Sequence, residues 1–309
     1  MKLSLIIPCY NDAARLKRTL ASVLSECEDT QIIVVDNNST KEHDELADLK
    51  EKYSNLVEFY ETVPGDQGTG YARNMGLSKI RGEWTMFADS DDYFYEGWFK
   101  KVSQYFESEY DIVYFSLGSE TELNKEPPSR HIQYERLIKT YLQKRERSEL
   151  IIRCNWVLSQ SRLLRSRLIF ENNLHFENVR FSDDVMFNVK AGYYANKIYV
   201  DESTIYCLVE RGDSVTKNVS YEAKKAHLCE FCKQNLFLRQ NLNRKDYNYI
   251  SVRQGAYKRF KNTVKDRDFA TIVSVFLLYR QYKVPLAANI LRIMYCKIRN
   301  MFALQNLLQ

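Results

Sequence analysis

Apolar runs and helical spacings alternate along the first two hundred residues. Residues 3–8 form an apolar run of the kind a strand buried on both faces shows. Behind it Leu16, Leu20, Val23 and Leu24 recur at helical spacing, and Asp12 can cap that helix. Residues 31–35 predict a second buried strand that stops at Asp36. Ser39 or Thr40 is then expected to cap a helix reaching about Tyr53, and residues 56–60 a third strand. A glycine-rich loop, 65–70, leads into a helix over 71–79 and a strand over 84–88. Further on the pattern predicts a helix over 96–106, a strand over 111–115 and a polar loop over 120–130 with Pro127-Pro128. Helices are expected over 134–141, 149–164 and 184–193, an irregular stretch over 172–181, and a strand over 197–209. This alternation implies an α/β protein with a mostly parallel, doubly wound sheet. Ligands of such sheets bind beyond the C-terminal ends of the strands. Pro8-Cys9-Tyr10-Asn11, Asp36-Asn37-Asn38 and Asp89-Ser90-Asp91 all fall on that rim.

From Tyr221 onward the pattern is helical and basic. Residues 1–216 hold 27 Lys+Arg and 35 Asp+Glu, a net −8, whereas residues 217–309 hold 18 and 5, a net +13. Two regions are therefore expected, 1–216 and a helical extension, 217–309. The basic extension suits an anionic partner, either a membrane surface or nucleic acid. Its last predicted helix, 286–308, is amphipathic, with Ala287, Ile290, Met294, Ile298 and Met301 on one face. No apolar run approaches the roughly 20 residues of a spanning helix. The N-terminus is broken by Pro8 too soon for a signal peptide. Seven cysteines at irregular spacings fit free thiols in a reducing cytoplasm. Cys229-x-x-Cys232 beside His227 lacks a second ligand pair and reads as helix packing rather than zinc. The pattern fixes no oligomeric state.

The chemistry concentrates where the apolar run 84–88 ends in Asp89, Asp91 and Asp92. Carboxylates crowded this closely repel one another unless a positive charge sits among them. A divalent cation with a preference for oxygen ligands, Mn2+ or Mg2+, meets that need.

Four motifs in order across the first 92 residues resemble the family 2 glycosyltransferases, which have the GT-A fold. Ile6-Ile7-Pro8-Cys9-Tyr10-Asn11 resembles their opening strand, and Val34-Val35-Asp36-Asn37-Asn38-Ser39-Thr40 their second-strand motif. Gln67-Gly68-Thr69-Gly70-Tyr71-Ala72-Arg73-Asn74 is similar to their loop–helix signature, and Met86-Phe87-Ala88-Asp89-Ser90-Asp91-Asp92 to the strand carrying Asp-x-Asp. Ser182-Asp183-Asp184-Val185-Met186-Phe187 resembles their acidic pair, and Arg211-Gly212-Asp213-Ser214-Val215-Thr216 a stretch expected to close over a diphosphate. The likeness ends near residue 216 and implies a nucleotide-sugar-binding part over 1–110 and an acceptor-binding part over 111–216. Departures are Asp36-Asn37-Asn38-Ser39 in place of Asp-Asp-Gly-Ser, Ala13 where an acidic residue is common, and Asp183 in place of Glu. A Gln-x-x-Arg-Trp sequence is absent, which suggests single additions rather than processive polymerisation.

The resemblance implies an inverting, metal-dependent transfer from a nucleotide-sugar, a UDP-sugar first, to a glycan or lipid-linked acceptor. Surface polysaccharide, capsule, lipopolysaccharide or glycoprotein glycan would be the product, made in the cytoplasm or on the inner membrane face. Asp91, with Asp89, would hold the metal, and Asp89 would lie nearer the ribose, with Ser90 between them in the donor site. Asp36 would contact uracil, Pro8 and Tyr10 would shape the base pocket, and Arg73 would pair with phosphate or base, or with the acidic rim. Asp184, beside Asp183, would be the general base. Trp156 is expected in the core rather than under an acceptor sugar, and His175 is open between ligand and surface. Competing readings are a nucleotidyltransferase, against which the absence of a Gly-rich basic loop after the first strand counts, and a non-catalytic nucleotide-sugar or nucleic-acid binding protein.

Overall fold

The computed structural model describes residues 1–63, 65, 68–122, 128–211, 220–253, 255–265, 267 and 269–284. The predicted helix 286–308, together with Gln67, Ser214 and Thr216, lies outside them. The chain divides into two compact units, Met1–Asn218 and Val219–Gln309.

In the first unit β1 (Leu3–Cys9) is buried at every position, as its apolar composition requires. Helix α1 (Ala13–Leu24) buries Ala13, Leu16, Leu20 and Val23 on one face. Then follow β2 (Thr30–Asp36), α2 (His43–Lys52), β3 (Val57–Glu61), α3 (Thr69–Leu77) and β4 (Trp84–Phe87). Strands β3, β2, β1 and β4 lie side by side and parallel, with Leu5 opposite Ile32 on one side and Met86 on the other. Each crossover buries its helix against the sheet, so the strands are covered on both faces and read as unbroken apolar runs.

Beyond β4 the architecture changes. A short β5 (Tyr93–Phe94) and α4 (Trp98–Ser103) replace the longer helix expected over 96–106. Strand β6 (Ile112–Thr121) runs six residues past its predicted end, into the segment expected to be loop. After α5 (Ile132–Leu142) and α6 (Ser148–Asn155), the chain forms β7 (Arg162–Arg165) where a continuing helix was predicted. Strand β7 pairs antiparallel with β4 and with β6, joining the parallel half of the sheet to the rest. Helices α7 (Ser166–Glu171) and α8 (Val185–Tyr194) and strand β8 (Ile198–Glu210) complete the unit. Strand β8 pairs parallel with β6 and antiparallel with β5, giving the order β3-β2-β1-β4-β7-β6-β8-β5. The sheet is thus mixed, with its parallel part where the sequence pattern put it.

Helix starts also differ. Helix α2 begins at His43, because Ser39 is engaged by Asp36 instead of capping. Asp12 stands at the N-cap of α1, but its carboxylate makes no capping hydrogen bond.

The second unit contains α9 (Tyr221–Asn241), capped by Ser220 Oγ accepting from Ala223 N at 3.2 Å, then α10 (Arg244–Arg253), α11 (Ala256–Val264) and α12 (Phe269–Gln281). Its core is Leu228, Phe231, Cys232, Ala256, Val275, Tyr279 and Val284. Cys232 belongs to that core, consistent with a packing role. Among the described residues no helix is long and apolar enough to cross a membrane.

Candidate active site

The rim at the ends of β1, β2 and β4 is built from short polar side chains that bond to one another. Asn11, after β1, accepts from Thr40 N at 2.7 Å and Lys41 N at 3.0 Å, and its own N–H donates to Ser39 Oγ at 2.9 Å. Asp36, at the end of β2 and 5% exposed, accepts from Ser39 N at 3.0 Å and Ser39 Oγ at 2.6 Å, both through Oδ1. Pro8 is buried within β1, and the Tyr10 ring stands out from the rim, 55% exposed.

Asp12 ties this rim to the acidic turn. Its Oδ1 accepts from Arg15 at 2.8 Å and lies 3.4 Å from Arg211 Nη1, while Oδ2 accepts from Ser90 Oγ at 2.9 Å. Thr19 Oγ1 lies 2.8 Å from the Ser90 carbonyl and 2.7 Å from that of Asp92. The Ser90 side chain is therefore spent on holding the turn. Asp91 is ion-paired with Arg211, Nε to Oδ2 at 2.8 Å, and its carbonyl accepts from Arg18.

Asp92 has a different part. It is buried, and both of its oxygens accept hydrogen bonds, Oδ1 from Val209 N at 2.8 Å and Oδ2 from Tyr206 Oη at 2.9 Å. The same Tyr206 oxygen accepts from Asp89 N at 2.9 Å. Strand β8 thereby fixes the backbone on which Asp89 and Asp91 stand. Asp92 caps no helix, since Gly97 precedes α4.

Opposite the turn, α3 and the segment before α8 approach closely. A Cβ on Gly70 would stand 2.4 Å from the Glu177 carbonyl oxygen and 3.1 Å from Asp183 Cβ, so only glycine admits this contact. Gly68 has a φ of +97°, and a Cβ there would meet the Val179 carbonyl oxygen at 2.6 Å. Asn74 grips the backbone of Phe176 twice, accepting its N–H at 2.8 Å and donating to its carbonyl at 2.9 Å. Phe176 stacks on Phe187 at 4.1 Å, and both meet Phe87 of β4 edge-on. These contacts bring Asp183 and Asp184 to the end of β4.

Arg73 closes the site. It is 5% exposed, donates from Nη1 to Asp183 Oδ2 and from Nη2 to Asp89 Oδ1, each at 2.8 Å, and lies over the Phe176 ring. Of the options open in the sequence, the structure displays the pairing with the acidic rim. Burial opposes its charge, yet Asp183, Asp89 and Asp184 together hold it above the ordinary guanidinium value.

The carboxyls remain short of positive charge even so. Burial and the Asp89 charge push Asp91 up to about 6, against the pull of Arg211. Asp92 is raised by burial and by Asp91. Burial raises Asp183 although Arg73 opposes it. Asp184 is pushed up to about 7 by burial and the Asp183 charge, again against Arg73. Ligand oxygens of Asp89, Asp91 and Asp92 lie within 4.8 Å of one another. Asp92 is engaged at both oxygens, whereas Asp91 and Asp89 each meet an arginine at one oxygen, so these two could hold a hard divalent ion.

Trp156 is fully buried, 5.1 Å from Tyr114 and 4.9 Å from Tyr134 between ring centres, and is core as expected. His175 is exposed, its Nδ1 3.0 Å from the Asn173 carbonyl. Sequence reasoning missed Asp12, Asn74 and Tyr206. Asn74 stood inside a recognised motif, whereas Asp12 and Tyr206 act across long separations that no local pattern announces.

Comparison with known proteins gives this geometry a context. The family model described as Glycosyl transferase family 2 matches residues 4–162. The poly(ribitol-phosphate) beta-N-acetylglucosaminyltransferase TarS of Staphylococcus aureus (strain Mu50) is 27% identical over 227 residues, covering 70% of this chain and 37% of TarS. The poly(ribitol-phosphate) beta-glucosyltransferase of Bacillus spizizenii is 29% identical, covering 72% of this chain and 34% of its own length. The chain thus spans little more than a third of the length of these curated relatives. Among solved structures, S. aureus TarS 1–349 in complex with UDP-GlcNAc superposes with a TM-score of 0.70 at 20% identity, covering 94% of this chain and 84% of that one. The mannosyltransferase PcManGT from Pyrobaculum calidifontis, in complex with GDP-Man and Mn2+, gives 0.57 at 13% identity, covering 99% and 84%. At these identities the superpositions show the fold, a GT-A-type α/β fold with helices following it.

Proposed function

The chain belongs to glycosyl transferase family 2, and on that premise we propose that it moves a hexosyl or N-acetylhexosaminyl group from a nucleotide-sugar, a UDP-sugar first, to a hydroxyl of a glycan or lipid-linked glycan during surface-polymer synthesis. One observation carries the reading: a single buried arginine, Arg73, joins the Asp89 turn to the Asp183-Asp184 pair. Two carboxylate groups with different tasks are thereby held at a fixed separation.

In this reading Asp36, Pro8 and Tyr10 receive the base and ribose, with Asp36 Oδ2 accepting from the base N–H. Asp91 and Asp89 would hold a Mn2+ or Mg2+ ion, whose charge would offset that of the departing diphosphate. Asp184 takes the proton of the acceptor hydroxyl. The acceptor oxygen bonds to the anomeric carbon as the bond from that carbon to phosphate oxygen breaks, the electron pair leaving with the nucleoside diphosphate. One in-line displacement inverts the centre. A carboxyl pushed up to about 7 by burial and the Asp183 charge suits this work, because a substantial share is ionised at neutral pH yet basic enough to accept the proton. Arg73 stays charged throughout and keeps Asp183 from competing for that proton.

The test is nucleoside diphosphate release from UDP-, GDP- and dTDP-sugars, each with Mn2+, Mg2+ or EDTA and with a panel of glycan acceptors. Release of UDP that depends on added metal is expected. Release above blank from no donor at all would sink the proposal.

We propose further that residues 217–309 meet an anionic membrane surface, where a lipid-linked acceptor would reside. Phe269, Val273, Phe276 and Leu277 are exposed on α12 at helical spacing, next to Arg280, in a region of net charge +13. Co-sedimentation with phosphatidylglycerol vesicles, weakened by salt and absent with phosphatidylcholine, is the expected result; equal binding to both lipids would reject an electrostatic contact.

A further inference from the structure

Arg162, on β7, has no place in the mechanism above, and its surroundings are unusual for an arginine. It is fully buried. Its Nη2 donates to Asn188 Oδ1, and its guanidinium lies 5.9 Å from the Tyr114 ring centre. The Tyr114 hydroxyl bears on it electrostatically, and among the described residues no carboxylate forms an ion pair with it. A buried arginine without a carboxylate is costly to the fold, by several kcal/mol for an uncompensated ion. The cost calls for something the charge does.

Its contacts lead to the proposed base. Asn188 is also fully buried and lies one turn along α8 from Asp184, with its backbone N–H donating to the Asp184 carbonyl at 3.0 Å. The Asn188 amide is fixed at its other end, donating to the Val157 carbonyl at 2.6 Å and to Ser159 Oγ at 3.2 Å. Arg162, Asn188 and the first turn of α8 therefore form one rigid piece with the segment leading into β7. That turn has no side-chain cap to hold it otherwise. The Asp184 carboxylate has no partner on another side chain among the described residues, while its neighbour Asp183 is paired with Arg73.

We propose that Arg162 is a positioning residue for the base: through Asn188 it fixes the start of α8 and so the place of Asp184, and it carries its positive charge on the same rigid piece. This rests on the reading of Asp184 as general base. The groups acting on Asp184 are Asp183 beside it, Arg73 from α3, Asp89 from the turn after β4, Tyr134 from α5 and Arg162 from β7. Arg73 is shared among three carboxylates. Arg162 adds a favourable charge from β7.

The experiment is the pH profile of kcat/KM for the intact protein, its Arg162→Gln, Arg162→Lys and Asn188→Asp variants, and Asp184→Asn as a reference. Loss of an opposite charge outside direct contact should move the acid limb up by ~0.5–1 pH unit in Arg162→Gln. The donor KM should stay unchanged. Arg162→Lys keeps the charge and should keep the wild-type limb. Asn188→Asp neutralises Arg162 by direct pairing without emptying the site, at the loss of the bond to the Val157 carbonyl; its melting curve is measured first, and the folded variant should shift the limb the same way. If Arg162→Gln does not fold, Asn188→Asp decides. A wild-type limb in every folded neutralising variant overturns the proposal, and so does Arg162→Lys shifting as far as Arg162→Gln, which would make packing the cause. A fully active Asp184→Asn, or a wild-type profile with no acid limb, would instead remove the general-base reading beneath it.

Discussion

Asp184→Asn should lower kcat by about a thousandfold while leaving donor binding intact. Asparagine keeps the volume of the side chain and the start of α8, but it cannot accept the acceptor's proton. The wild-type rate should rise with pH up to about 7 and then level, because only the ionised carboxyl is a base. Stability should move in the opposite sense. The folded-state value lies above the ordinary 3.8, so the folded form retains this proton longer than the unfolded chain does. The group's contribution to stability is thus fullest below the unfolded value and is lost as pH climbs through about 7. At pH 8 the variant, which has no charge to bury, should melt no lower than wild type, and at pH 5 the advantage should shrink. Melting curves at the two pH values, with UDP-sugar titrations, check both halves. A variant that retains most of its turnover, or one that loses donor affinity in proportion to rate, would contradict the assignment.

How much of this was legible beforehand depends on the range of the interaction. Strands β1, β2 and β4 announced themselves because burial on both faces requires continuous apolar residues. Their acidic or polar ends, Asn11, Asp36 and Asp89, then marked the rim. The 65–70 loop was legible as glycine-rich, but not the reason for it, the close approach of Gly70 to the Glu177 carbonyl. Strand β7 did not announce itself. Only Leu163 and Leu164 are apolar within it, too short a run to show a two-residue period after the helical spacing of α6. Its strand character comes from edges offered by β4 and β6, which are tertiary features. The same holds for Tyr206, which meets Asp89 and Asp92 from more than a hundred residues away. Asp12 looked like a helix cap because capping is the local use of that residue, but Ser90 and two arginines claimed its carboxylate. Arg162 was unreadable for a related reason. A charged residue in a polar-looking stretch signals a surface, and only the assembled sheet buries it.

Arg73→Met should be the most disruptive single change in the site, lowering stability by about 3–5 kcal/mol at neutral pH. Methionine fills a similar volume and preserves the contact with Phe176, so packing alone does not produce the loss. The damage is electrostatic: Asp183 and Asp89 each lose a hydrogen-bonded cation at 2.8 Å, in a cluster where Asp91 and Asp184 are already raised by burial. Lysine cannot replace the fork, since a point charge reaches one carboxylate where the guanidinium reaches two. Arg73→Lys should therefore fall between wild type and Arg73→Met. Two dependences identify the cause. Without Arg73, the carboxyls should hold their protons to still higher pH in the folded state, so the stability deficit should narrow as pH falls from 8 to 5. Added Mn2+ should also raise the melting temperature of Arg73→Met more than that of wild type, because the ion becomes the cluster's main counter-charge and binds the folded state alone. Turnover should be lost with either substitution, since Asp183 and Asp184 would no longer be held at a fixed separation from Asp89. A variant as stable as wild type at pH 8, and indifferent to metal, would mean that the two carboxylate groups do not depend on the arginine that lies between them.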